Sequence, residues 1–145
     1  MIFSSACQHA MRALIYLALH EDRWPILGRE MAEEENIPQP FLSKILHALS
    51  KQKLIVSSKG PGGGYSLARK PGSISLKEVI EAVDGELELE TSCVLGLDEC
   101  RDDAPCALHD FWGSVRAQYR HAVGTASLLD AAKTLSTKRT SPRKR

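Results

Sequence analysis

No window of about 18 consecutive apolar residues occurs in this 145-residue chain, so no segment of it reads as a membrane-crossing helix. The start of the chain lacks a basic segment followed by a cleavable apolar run, which predicts a soluble protein that is not exported. The expected compartment is the cytoplasm, where thiols stay reduced and a disulfide framework is not the default reading of cysteines. No nucleophile with a base, and no pair of carboxylates, stands at a spacing usable for catalysis, so the chain does not read as an enzyme. Net charge is almost absent too, at +1, and by itself selects no partner. What remains is one domain, or one domain with an appended element, able to bury roughly two-thirds of its unfolded surface without covalent staples.

Acidic charge is missing locally. Residues 43–70 hold six lysines and arginines and no acidic side chain, whereas residues 76–132 hold four basic and twelve acidic ones. Residues 133–145 are basic again, with six cationic side chains and no acid. A basic field beside an acidic body lets a nearly neutral protein bind phosphate, although a merely solvated face is the alternative until geometry is considered.

Ala10, Ala13, Leu14, Leu17 and Ala18 recur at helical spacing behind Ser4 and Ser5, either of which serves as a cap, and predict a first helix to about Glu21. After the short connection Trp24-Pro25-Ile26, Gly28 to Asn36 reads as a second helix. It turns Met31 and Ala32 inward and leaves Glu33-Glu34-Glu35 as a solvated acidic face. Asn36 stops it, and Pro38 and Pro40 mark the turn into a third helix over residues 40–52. Phe41, Leu42, Ile45, Leu46 and Leu49 form the stripe expected to be buried, leaving Gln39, Ser43, Lys44, His47, Ser50 and Lys51 outside. Hydrogen-bonding and cationic groups on one face, with no acid among them, suit a helix laid in a DNA groove, and two such helices about a tight turn form a helix-turn-helix. His47 has no second ligand at i±3 or i±4, so it reads as a phosphate or base contact rather than a metal ligand.

A β-hairpin follows directly. Leu54-Ile55-Val56 is a short strand, Gly60-Pro61-Gly62-Gly63-Gly64 is a turn that requires positive φ, and Tyr65-Ser66-Leu67-Ala68 is the returning strand. This is the layout of a winged helix, with Lys59 at the tip and Arg69 and Lys70 at the base. The glycine run lacks a Gly-Lys-Ser/Thr ending and enters a strand rather than a helix, which argues against a nucleotide-phosphate loop. Ser75 then caps a fourth helix carrying Leu76, Val79, Ile80 and Val83 as far as Gly85, and Glu86 to Ala104 is a polar, acidic loop.

From about Cys106 a long helix is expected through Phe111, Trp112, Val115, Tyr119, Val123, Leu128 and Leu129 to about Leu135. A helix of that length on a small domain finds too little surface on its own subunit, so it predicts a homodimer. The basic end of the chain lacks periodicity and reads as a disordered tail adding sequence-independent DNA affinity. The division expected is a winged helix-turn-helix over 1–85, a cysteine loop over 86–106, a dimerisation helix over 107–135 and a tail over 136–145.

Three of the four cysteines lie in the stretch C-V-L-G-L-D-E-C-R-D-D-A-P-C-A-L-H, from Cys93 to His109. Thiolates and imidazole favour zinc or the iron of an iron-sulfur cluster, and three thiols in a polar loop are badly placed for core packing. His109, three residues after Cys106, is placed to face the same centre or to hydrogen-bond a carbonyl or water. Cys7, on an apolar helix, reads as a small core residue, and Phe111 and Trp112 read as packing.

Pro40 to Leu54, the run Ser57 to Arg69 around the glycine-rich turn, Ile74 to Gly85 and the three-cysteine loop together resemble the Rrf-two family of bacterial regulators, over nearly the whole chain. The resemblance implies a mainly α fold with a small β-hairpin wing. It further implies a homodimer that binds a palindromic double-stranded DNA operator, as a repressor, under control of a 2Fe-2S or 4Fe-4S iron-sulfur cluster sensing iron-sulfur status, nitric oxide or redox stress. In that comparison Cys93, Cys100 and Cys106 take the places of the cluster thiolates, and His109 that of the fourth ligand in the family's iron-sulfur branch. The nitric-oxide branch draws a carboxylate from the first helix where Gln8 stands here beside Cys7 and His9, and an amide is a poor iron ligand. Ser43 stands where a base-reading acid occurs, and Lys59 where an arginine probes the minor groove. The alternative expectation is a zinc-structured or thiol-disulfide switch on the same DNA-binding domain.

Overall fold

The computed structural model describes residues 2–86 and 91–140. The first helix, α1 (Ser5–Leu19), starts at Ser4, whose hydroxyl accepts from the Cys7 N–H at 3.0 Å. It stops two residues short of Glu21, where a 3-10 turn (Glu21–Arg23) and the Trp24-Pro25 connection redirect the chain. The Trp24 indole N–H fastens that connection to the Leu17 carbonyl at 2.9 Å. The short α2 (Gly28–Glu34) and α3 (Gln39–Lys51) follow about a turn in which Asn36 takes φ +51°. Leu14, Leu17, Met31, Leu42, Leu46 and Leu49 are sealed from solvent between α1, α2 and α3, forming the centre of the core.

Two residues depart from the sequence pattern here. Glu35 is not part of a solvated face: it is 2 % exposed and pairs with Arg12 of α1, Nε to Oε2 at 3.2 Å, while Arg12 also donates to the Glu35 carbonyl. A buried carboxylate is tolerated because a cation and hydrogen bonds meet it. Phe41 is not in the buried stripe but 38 % exposed, its ring meeting that of His9 edge-on at 5.4 Å. It sits about 100° around the helix from Leu42, outside the stripe that Leu42, Ile45, Leu46 and Leu49 already fill.

The wing consists of β1 (Ile55–Ser58) and β2 (Gly64–Leu67), antiparallel in the register Ile55 to Leu67 and Ser58 to Gly64. Ile26 bridges to Tyr65 through two backbone hydrogen bonds of 2.9 and 2.7 Å, tying the wing to the segment before α2. Gly64 is required at this junction: its φ is +143°, and a Cβ there would lie 2.5 Å from the Ile26 carbonyl. Beyond the wing, α4 (Leu76–Asp84) carries a reciprocal cap between Ser75 and Glu78 and ends at Gly85 with φ +78°.

The expected single long helix is two helices. Its first part, α5 (His109–Thr125), stops at Ala126, and α6 (Leu128–Thr140) begins after Ser127. Ser127 and Asp130 cap α6 reciprocally, with Asp130 N–H to Ser127 Oγ at 3.2 Å and Ser127 N–H to Asp130 Oδ2 at 2.9 Å. The break is clamped to the start of α4 by Leu76 N–H to Ala126 O and Leu128 N–H to Ile74 O, at 2.9 and 2.8 Å. The chain then doubles back, α6 lies on α1, and Leu128 and Ala132 are 0 % and 2 % exposed in the chain's own interior. Residues 136–140, expected to be disordered, continue α6, and 141–145 lie outside the described residues. Among the described residues no helix is long and apolar enough to cross a membrane.

Candidate metal centre and nucleic-acid interface

The cysteine loop connects α4 to α5; of its expected span, residues 87–90 lie outside the described residues. Its remaining part is folded by short-range contacts. Ser92 bridges to Glu99, Cys100 N–H donates to the Thr91 carbonyl at 2.8 Å, and a turn at Gly96, φ +70°, returns Gly96 N–H to the Cys93 carbonyl at 2.9 Å. The Trp112 indole N–H donates to the Ser92 carbonyl at 3.1 Å, pinning the loop to the first turn of α5. Helix α5 starts at His109 rather than near Cys106, so Cys106 belongs to the loop.

A concavity of about 260 Å³ opens here, and Cys93, Cys100, Cys106 and His109 all line it. The donors stand as two pairs. Cys93 Sγ lies 3.6 Å from Cys106 Sγ, and Cys100 Sγ lies 3.4 Å from His109 Nδ1. His109 therefore faces Cys100 rather than Cys106, whose carbonyl accepts its backbone N–H at 3.1 Å. Among the described residues no three His, Cys, Asp or Glu side chains are arranged to hold a metal ion. The donor chemistry nevertheless fits a thiophilic metal: three thiols and an imidazole border one concavity, and the Leu95 N–H, aided by the Cys106 thiol and the Leu97 N–H, holds the Cys93 thiol below the ordinary thiol range against partial burial.

Two neighbours escape sequence reasoning. Asp102 Oδ1 lies 3.0 Å from His109 Nε2, and Arg116 of α5 directs Nη2 to Cys100 Sγ at 3.4 Å. Only the fold brings Arg116 back over the loop; Asp102 lies within the cysteine stretch, but the four carboxylates there, Asp98, Glu99, Asp102 and Asp103, look alike in sequence. Cys7, as expected, is fully buried, and burial, followed by the nearby Asp84 carboxylate, pushes its thiol up to about 11. Of the residues expected to pack, Trp112 is half-buried but Phe111 is 62 % exposed, alongside Leu108 at 38 %.

Gln39, Ser43, Lys44, His47 and Lys51 are all exposed along α3, and Lys59 is exposed at the wing turn. The Ser43 hydroxyl is committed to the Gln39 carbonyl at 3.0 Å. Arg69, at the base of the wing, turns onto Glu78 of α4 and the Ser73 carbonyl rather than outward. Gln8 is exposed on α1.

Comparison with known proteins agrees with this architecture. Residues 3–134 match the family model described as Rrf2, iron-dependent transcriptional regulator. An Aquifex aeolicus protein assigned as an HTH-type transcriptional regulator is 40 % identical over 120 residues, covering 81 % of this chain and 82 % of its own. The HTH-type transcriptional regulator IscR of Xenorhabdus nematophila is 32 % identical over 133 residues, covering 92 % and 80 %. Among solved structures, CymR, the global cysteine regulator of B. subtilis, superposes with a TM-score of 0.78 at 22 % identity, covering 92 % of this chain and 98 % of that one. T. potens IscR superposes at 0.75 and 22 % identity, covering 99 % and 94 %. At such identities the two structures speak for the winged-helix fold.

Proposed function

The chain belongs to the Rrf2 family of transcriptional regulators, and on that premise we propose that it is a DNA-binding repressor whose operator affinity is set by an iron-sulfur cluster on Cys93, Cys100, Cys106 and His109. One observation carries the reading: these four side chains border a single concavity. A 2Fe-2S or 4Fe-4S cluster held there supplies an iron centre sensitive to oxidants and nitric oxide. The protein's part is to keep thiolates available and the imidazole oriented. The Leu95 N–H favours the Cys93 thiolate, Arg116 offsets charge on Cys100, and Asp102, on Nε2 of His109, leaves Nδ1 turned toward the thiol.

The loop joins α4 to α5 and is pinned to α5 by Trp112, so its state biases how these helices lie on α1 and, through α1, on α3. Exposed Gln39, Ser43, Lys44, His47 and Lys51 on α3, with Lys59 on the wing, form the DNA-facing surface. A homodimer supplies the second half-site reader, and the exposed Leu108, just before α5, and Phe111, in its first turn, support that part of the reading.

The test is purification without oxygen, followed by visible absorption and by iron and sulfide analysis, in the native chain and in Cys106→Ala. A brown native protein with bound iron and sulfide and a colourless variant of unchanged far-UV circular dichroism are expected. A colourless native protein holding about one zinc, or no metal, overturns the reading.

A further inference from the structure

The two donor pairs in the concavity are not equivalent. Cys100 is engaged by His109 and Arg116, each at 3.4 Å, whereas Cys93 and Cys106 meet sulfur to sulfur at 3.6 Å across the loop. A disulfide needs the two sulfurs roughly 1.5 Å closer, at about 2.05 Å, a shift of the scale that small χ1 rotations supply. We propose that in the cluster-free chain peroxide joins Cys93 and Cys106 in an intramolecular disulfide, leaving Cys100 as a thiol and barring reloading of the cluster until the bond is reduced. The inference rests on the cluster reading above for its consequence, and on the 3.6 Å pairing alone for the bond.

The chemistry balances with peroxide as the only oxidant. Cys106, half-buried, gives up its thiol proton and attacks the peroxide O–O bond, becoming a sulfenic acid, and the hydroxide released takes up that proton as water. Cys93, 8 % exposed and already the nearest thiol, then attacks the sulfenic sulfur, forming the S–S bond and releasing a second water. Two thiols lose two hydrogens and one peroxide becomes two waters. Two of the three thiolates are consumed, so bond and cluster exclude one another.

The full chain is stripped of metal with a chelator, reduced, exposed to hydrogen peroxide, alkylated and cleaved after glutamate and arginine. Glu99 and Arg101 separate the three cysteines, so each falls on its own fragment and the pairing is unambiguous. The expected product links the fragment of Cys93 to that of Cys106. Cys100→Ser should still form the link, and Cys106→Ser should lose it; oxidised native chain should take up no visible absorbance on reconstitution until dithiol is added. A link through Cys100, a link between chains, or sulfinic acid without any link overturns the proposal. The fragment map is read on metal-free protein and the absorbance on anaerobic protein, so failure of the disulfide and failure of the cluster reading are told apart.

Discussion

At the scale of single residues, the pair Arg12 and Glu35 does what no local pattern shows. Glu35 ends α2 at the turn into α3 and, at 2 % exposure, is met by a guanidinium that is itself 41 % exposed. Replacing Arg12 by alanine leaves a buried carboxylate without its cation. Because water reaches the arginine, the expected loss is about 2 kcal/mol, short of that for a fully buried pair, read from the urea midpoint with the slope unchanged. In sequence, Glu33, Glu34 and Glu35 are alike, and which one turns inward is decided by where α1 crosses the turn. Phe41 and Leu42 pose the same problem, since adjacent apolar side chains leave the stripe's edge undetermined. The candidate ligands were legible because cysteine is scarce and three crowd one loop, but their pairing was not. Spacing alone sets His109 beside Cys106, whereas after the turn at Ala107 and Leu108 its ring meets Cys100.

At the scale of elements, the winged helix-turn-helix was readable almost throughout, because glycine, proline and Ser75 punctuate it. The end of the chain was not, since Ser127 and Asp130 lie inside an unbroken apolar period that hides the cap. If α6 is docked on its own core, Leu128→Ala should cost about 2–5 kcal/mol of chain stability and Ser127→Ala about 1 kcal/mol; a projecting helix would lose far less at Leu128. The two caps also make the fold acid-sensitive. Partial burial pushes Glu78 up, but the Ser75 N–H, Arg69 and the Ser75 hydroxyl outweigh it and hold its carboxyl below the ordinary range; the Ser127 N–H and hydroxyl do the same for Asp130. A carboxyl depressed in the folded state stabilises above its unfolded pKa, about 4, and the gain disappears as pH falls through the depressed value. Urea midpoints should therefore drop below pH 4, and the drop should shrink in Glu78→Gln and Asp130→Asn; equal pH profiles would remove the caps from the explanation.

At the scale of the molecule, a chain of net charge +1 engages a polyanion only if its charges are sorted in space. The structure sorts them further than the sequence does. Arg69 is drawn onto Glu78, whereas Lys44, Lys51 and Lys59 stay exposed and, among the described residues, form no ion pair. The lysines, rather than the whole run of six basic residues, should then carry the phosphate contacts. Each contact displaces condensed counterions, so Lys44→Ala and Lys59→Ala should each lower the slope of log affinity against log salt by about one unit, equally on operator and random duplex. Arg69→Ala should leave that slope nearly unchanged while weakening the tie between wing and α4, which thermal unfolding reads. Equal slopes in all three variants would place the DNA surface elsewhere, and a loss confined to the operator would make the affected lysine a base contact instead of a phosphate one.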